Sequence, residues 1–385
     1  MLRFLDAGES HGKGIMTVVE GMPHGVPMRS QDIEEELARR RLGYGRSGRM
    51  LLEKDKVEII SGVRGGKTLG SPVAMLVKNE EYDKWKGIMK VNGEAEGETM
   101  TRIRPGHADL AGALKYGTRD LRDILERASA RETVGRVCAG ATAKSLLGCL
   151  GISVMSHVLG VGRVEADSTS GPPGLGELKK ADSDPMRCLD EDLSRRMIEE
   201  IDQAGEQGDS LGGIFEVIAF GLPAGLGSHV HWDRRLDSRM AAAVMGIQAI
   251  KGVGIGDGFD IAAARGSQVA DVVYHQQEKG FYRRTNHAGG LEGGMTNGEP
   301  VVVRAAMKPI PTLTSPMESL DLVSKERMTA AVERADVCAV AAAAVIAESA
   351  VALVLADALL EKLGGDSLTE LEERYKALLR EQASF

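Results

Sequence analysis

The feature that most constrains this chain is a run at residues 337–360, dominated by alanine, valine and leucine. A helix that is apolar on every side must be buried, in a protein core or in a membrane. This run contains Glu348 and Asp357, is rich in alanine and is flanked by charged residues. A buried core helix is therefore the expectation, not a membrane span. It is expected from about 337 to 363, with Gly364 and Gly365 ending it.

Around this helix the pattern alternates. Strands are expected over 14–20, 56–63, 72–78, 152–164, 213–221 and 300–307. Helices are expected over 30–41, 108–116, 133–150, 235–244 and a charged amphipathic tail at 367–381. Ser30 is the expected N-cap of the first helix, whose basic end suits the macrodipole. Residues 80–103 are polar and read as an irregular loop. Residues 165–210 read as a surface insertion carrying a short charged helix near 190–203. There is no repeat and no linker that splits the chain. The expectation is one α+β domain over residues 1–385, with the 165–210 insertion and a helical tail at 366–385.

A net charge of −8 argues against a general polyanion binder, and an aromatic content of 4% against a stacking surface, so no nucleic-acid partner is expected. The 48 glycines suggest tight turns and close backbone approaches. Yet the arginines cluster, in one group at Arg39, Arg40, Arg41, Arg46 and Arg49 and in another at Arg119, Arg122, Arg127, Arg131 and Arg136. The four cysteines are too far apart in sequence for a zinc motif, and a disulfide framework is implausible at that density. Buried free thiols in a reducing compartment are the expectation, and the N-terminus does not read as a signal peptide. A cytoplasmic location follows as the expectation, with no metal and no membrane partner.

Taken singly, the motifs are weak. His11 sits between glycines in Gly-Glu-Ser-His-Gly (8–12), where backbone can approach a ligand, but a lone loop histidine is more often ordinary. His107, in Arg-Pro-Gly-His-Ala-Asp (104–109), has the same alternative, with Asp109 as a simple helix cap. Asp336 also reads first as a cap for the long helix. The arginine run at 39–49, with glycines at 43 and 45, can fold around an anion, since arginine binds phosphate and carboxylate bidentately. Residues 126–132 put small side chains between arginines at a helix start, a ready anion site. The glycine loops at 254–258 and 286–294 have neither the dinucleotide-fold nor the P-loop context. Together these residues support an enzyme with an arginine-lined pocket for a polyanionic small molecule, with histidine and aspartate for proton transfer.

The order and wording of the segments go further. Gly-Glu-Ser-His-Gly is followed by Gly-Arg-Ser-Gly-Arg-Met, Gly-Lys-Thr-Leu-Gly-Ser-Pro-Val, Arg-Pro-Gly-His-Ala-Asp and Arg-Ala-Ser-Ala-Arg-Glu-Thr. Then come Ile-Gly-Asp-Gly-Phe, Asn-His-Ala-Gly-Gly, Lys-Pro-Ile-Pro-Thr and Arg-Ala-Asp-Val-Cys. From residue 3 to about 365 the chain resembles the chorismate synthase family. Two positions depart from that pattern, Ala335 inside the last motif and Ala341 where a proline is common.

The resemblance implies a β-α-β sandwich with the 337–363 helix packed centrally, and a homotetramer. It implies a lyase that converts 5-enolpyruvylshikimate 3-phosphate to chorismate by anti-1,4-elimination of phosphate, the last step of the shikimate pathway to aromatic amino acids. Reduced FMN is required without net redox change, and NADPH is a candidate external reductant. The implied catalytic set is His11, His107 and Asp336. Implied flavin contacts are Arg127, Ala128, Ser129, Gln248, Ala249, Gly293, Lys308, Pro309, Ile310, Pro311, Thr312 and Arg334. Arg40, Arg46, Arg49 and Arg131 are implied to bind substrate or NADP.

Overall fold

The computed structural model describes residues 1–48, 54–166, 172–277, 280–332 and 335–385. The apolar run forms the 24-residue helix Val340–Leu363, beginning three residues later than expected. Nearly all of it is buried, so its composition is explained by a core and not by a membrane. Its small side chains allow a neighbouring helix, Thr133–Cys149, to come very close. At the crossing, a Cβ added to Gly140 would lie 2.2 Å from Ser349 Cβ. Only glycine fits there.

The helix carries one charge into the core. Glu348 has no exposed side-chain surface, and it pairs with Arg39 at 2.6 Å, Arg187 at 3.2 Å and Lys144. Ser156 Oγ donates a further hydrogen bond of 2.6 Å. Burial pushes this carboxyl up, but Lys144, Arg39 and Arg187 outweigh it and hold it well below the usual carboxylate range.

Two antiparallel sheets enclose the helices. The first has the order Arg3–Ala7, Gly14–Glu20, Val73–Lys78, Val57–Ser61. It turns Ile15, Val19, Val57, Val73, Met75 and Val77 inward, against Thr133–Cys149 and the helix Ser30–Arg41. The second has the order Ile250–Ile255, Val301–Met307, Gly213–Phe220, Ser153–Val161, Val164–Glu165. It buries Val154, Val158, Phe215, Val217, Val301 and Val303, and it packs on Val340–Leu363. The helix Leu236–Met245 lies beside the central helix. The fold is thus α+β, a sheet–helix–sheet sandwich, as expected.

Several local expectations need correction. Ser30 is the first helical residue and Arg29 precedes it as N-cap without a side-chain cap; Asp32 pairs with Arg29 instead. The strands Arg3–Ala7 and Ile250–Ile255 were not expected, the second because its glycines at 252 and 254 mask the pattern. The polar 80–103 stretch holds a short helix, Tyr82–Trp85. Ahead of the long helix, Arg327–Thr329 pairs with Glu318–Leu320 as a small hairpin, which no sequence pattern announced. The 165–210 segment carries the helices Leu175–Ala181 and Glu191–Glu206, which bury Leu178, Met197 and Ile201.

Candidate active site

The site forms where the helices begin. The chain turns at Ser129, whose hydroxyl accepts a hydrogen bond from Arg131 N, makes one short turn over Ala130–Glu132, and enters the helix Thr133–Cys149. This helix start faces a cavity of about 510 Å³. The start of the central helix, at Ala339, Ala342 and Ala343, forms another wall, and the stiff 308–312 segment a third.

Arg40, Arg46, Arg104, Arg131, Lys251 and Lys308 all line this cavity, and among the described residues Asp336 is the one carboxylate on its lining. A strongly positive pocket therefore sits in an acidic protein. The field of six cations and a helix N-terminus favours a ligand with several negative charges. Their positions are fixed by internal partners. Arg40 donates to Thr133 Oγ1 at 2.9 Å and to Ala130 O at 3.1 Å. Lys308 Nζ donates to Gly106 O at 2.7 Å. Arg131 Nη1 donates to Asp55 at 2.6 Å, while Arg40 and Arg41 approach the same carboxylate at 3.7 and 3.9 Å. The sequence offered no motif for Asp55. Its only signal was its place just after the arginine run.

His107 lines the cavity from the turn before the helix Asp109–Tyr116. Asp109 does not act as a cap. Its carboxylate lies 2.5 Å from His107 Nδ1 and accepts from Arg104 Nε at 2.9 Å and Nη2 at 2.8 Å. Burial pushes Asp109 up, but His107 and Arg104 overcome it and keep it ionised far below the ordinary range. Nδ1 lies 2.5 Å from this carboxylate and 3.1 Å from Arg104 Nη2; the shorter contact, to an anion, puts the proton on Nδ1 and directs exchange with a bound molecule to Nε2.

Asp336 lies ahead of the central helix and does not cap it. Its Oδ1 accepts from Ser47 N at 2.6 Å, and Oδ2 stands 3.3 Å from Arg46 Nη1. This joins the 45–48 loop to the segment before the helix.

The structure brings most expected residues together. Arg40, Arg46, His107, Ala128, Ser129, Arg131, Gln248, Ala249, Lys308, Ile310, Pro311, Thr312 and Asp336 line one cavity. Four do not. Pro309 sits within the 308–312 segment but off the lining. Arg127 points away, pairing with Asp6 and with Gly8 O. Gly293 lies in the turn between Leu291–Glu292 and Met295–Thr296, at φ +59°. His11 is not on this lining but adjoins it, its neighbour Ser10 meeting the lining residue Ser129 through a 3.1 Å contact between the two hydroxyls. Arg49 and Arg334 lie outside the described residues.

Gln248 is informative about a ligand. Its Nε2 donates to Glu132 Oε1 at 2.6 Å, while its Oε1 is buried with no hydrogen-bond partner among the described residues. Ala249 beside it adopts a left-handed backbone at φ +67°. A buried orphan acceptor on a cavity wall fits a ligand bearing a ring N–H.

The fold and this pocket define an enzyme for a small polyanionic molecule. The comparisons narrow that class. The family model described as chorismate synthase matches residues 2–360. Chorismate synthase of Moorella thermoacetica is 55% identical over 98% of both chains, and that of Carboxydothermus hydrogenoformans is 51% identical over the full length of both. A crystal structure of chorismate synthase superposes with a TM-score of 0.82 at 43% identity, covering 100% of this chain and 99% of the other. The chain belongs to the chorismate synthase family. It is a lyase that removes phosphate from 5-enolpyruvylshikimate 3-phosphate to give chorismate, in the shikimate pathway.

Proposed function

We propose that the 510 Å³ cavity is where this elimination takes place, over a bound reduced FMN. The observation that carries the reading is the lining, which among the described residues holds six cations and one carboxylate, with His107 beside them. The substrate brings a phosphate and two carboxylates, and FMN a further phosphate, so a neutral wall would leave several charges unpaired.

The residues present fit the flavin. Ala128 and Ser129 offer small side chains at a helix start suited to a phosphate, and Gln248 Oε1 offers an acceptor to a ring N–H. Lys308, Pro309, Ile310, Pro311 and Thr312 form a stiff flank, and Ala249 leaves room beside them. Arg127, Gly293 and Arg334 stay in the proposed set on the family resemblance alone, since Arg127 and Gly293 lie off this lining and Arg334 lies outside the described residues. When bound, the reduced flavin would lend the substrate an electron that helps expel phosphate as an anion, and would recover it as hydrogen leaves C6, so that no net redox change results.

The chain's own groups do the rest. Arg40, Arg46 and Arg131, with Arg49, neutralise phosphate and carboxylates. His107 exchanges a proton through Nε2, with Asp109 balancing the charge. Asp336 takes up or relays a proton near the helix start, and His11 protonates the leaving group or the flavin. Excluding water from such a pocket strengthens every contact.

The protein works as a single domain in the cytoplasm, as a homotetramer. Leu5, Met16 and Ile60 are exposed on the outer face of the first sheet, which supports burial of that face against another copy. The test is anaerobic turnover of 5-enolpyruvylshikimate 3-phosphate with dithionite-reduced FMN and no NADPH. Chorismate is expected, with no stoichiometric consumption of reductant, and failure to form it sinks the reading.

A further inference from the structure

The His11 turn is held far more tightly than a surface histidine requires. Glu126 Oε2 accepts from His11 N at 2.7 Å, and Glu126 Oε1 lies 2.9 Å from His11 Nδ1. Glu126 O accepts from Ser10 N at 2.9 Å. The buried Asn79 amide reaches the other side of the turn, donating to Ser10 O at 3.3 Å and Gly12 O at 3.1 Å. The backbone on both sides of the imidazole is thus fastened by two elements distant in sequence.

The ring itself is held on a face and an edge. Trp85 lies over it, with ring centroids 4.0 Å apart and the planes tilted by 38°. Arg122 closes the stack, its guanidinium 5.2 Å from the Trp85 ring and its Nη1 3.2 Å from Glu126 Oε1. Burial pushes the Glu126 carboxyl up, yet the contacts with His11 and Arg122 bring it below its ordinary value. An anionic carboxylate on Nδ1 fixes the neutral tautomer as Nδ1–H and directs proton exchange to Nε2.

We infer that Glu126 is the positioning residue of His11: it sets the ring's tautomer and orientation and balances the charge of the imidazolium, with Trp85 as the plate against which the ring is set. The inference rests on the reading of His11 as a proton donor in the elimination. Glu126 itself acts only through His11. A neutral amide could still accept from His11 N, so the turn itself does not need the charge, which His11 and Arg122 share.

The test is a double-mutant cycle in the FMN-loaded enzyme, reading kcat, KM and the Kd for oxidised FMN. Glu126→Gln is expected to lower kcat about 100-fold, the lower end of what a positioned acid–base group supplies. KM and the flavin Kd should stay within about threefold, and Glu126→Asp should recover part of kcat. In a His11→Ala background, Glu126→Gln should cost nothing more. An equal loss in that background, or a loss carried by KM or flavin binding, would overturn the inference. If His11→Ala is itself fully active, the proton-donor reading fails and takes the inference with it. If His11→Ala is slow and Glu126→Gln is not, only the inference fails. One further measurement needs no variant: 15N-histidine NMR at high pH should show His11 as the Nδ1–H tautomer, and the Nε2–H tautomer would overturn the assignment of Glu126.

Discussion

Asp55 accepts a 2.6 Å hydrogen bond from Arg131 Nη1 while exposing none of its side chain. Arg40 and Arg41 converge on the same carboxylate, so residues from both arginine clusters share one buried anion. Two of those arginines line the cavity. Asp55→Asn removes the charge and keeps the shape, so three guanidinium groups lose the buried carboxylate they share. Breaking a buried ionic set typically costs about 3 kcal/mol. The expected outcome is that loss in chemical denaturation, together with a KM for the phosphorylated substrate raised about tenfold, worth roughly 1.4 kcal/mol. An unchanged KM would separate Asp55 from ligand binding.

The crossing of Gly140 and Ser349 sets how closely the two main helices approach. A methyl at residue 140 would lie 2.2 Å from Ser349 Cβ and 2.5 Å from Ser349 Cα. The backbone is among the clashing atoms, so a rotamer change cannot relieve it. Gly140→Ala should therefore destabilise the protein by about 1–3 kcal/mol, the usual cost of overpacking. Adding Ser349→Gly removes the clashing Cβ and should return part of the loss in a thermal melt. No recovery would place the strain elsewhere.

Glu348 makes the core sensitive to acid. Its folded value lies below the ordinary 4.5, because Lys144, Arg39 and Arg187 outweigh the burial that raises it. A depressed carboxylate contributes stability that is fully present above its unfolded value and is lost as pH falls toward the folded one. Glu348→Gln should cost about 3 kcal/mol at pH 7, the lower end for a broken buried pair, because Glu36 still pairs with Arg39 and Lys144 and Asp182 with Arg39 and Arg187. The gap between wild type and variant should then narrow below about pH 4.5. Urea midpoints from pH 7 to pH 3 would show it, and a constant gap would exclude this charge as the source.

Much of the fold was legible because its signals are local. The apolar run at 337–363 reads as a core helix because Glu348 and Asp357 argue against a membrane span, and Val301–Met307 and Gly14–Glu20 carry ordinary strand patterns. Ile250–Ile255 was not legible, because its strand character comes from pairing with Val301–Met307 and not from its own residues. The candidate site was legible through its motifs but not through its geometry. Asp109 and Asp336 both read first as helix caps, yet one holds His107 and the other ties Ser47 to Arg46. Asp55 and Glu126 were invisible as site residues, since each acquires its role from partners 76 and 115 residues away.

Gln248 offers the most direct test of the cofactor. Its Nε2 is committed to Glu132, which points its Oε1 away from that partner and leaves a buried acceptor unmet among the described residues. Burying an unmet acceptor costs about 1–3 kcal/mol, which a ligand N–H can return on binding. Gln248→Leu keeps an apolar side chain of similar reach but has no acceptor. Its Kd for FMN should rise about tenfold, the equivalent of one hydrogen bond of roughly 1.4 kcal/mol. A flavin methylated at its ring N3 separates that bond from simple packing, because it lacks the N–H. Wild type should bind it more weakly than FMN, while Gln248→Leu should bind the two alike. If both proteins discriminate equally in fluorescence titrations, Gln248 Oε1 does not face the flavin N–H, and the cofactor lies differently in the cavity.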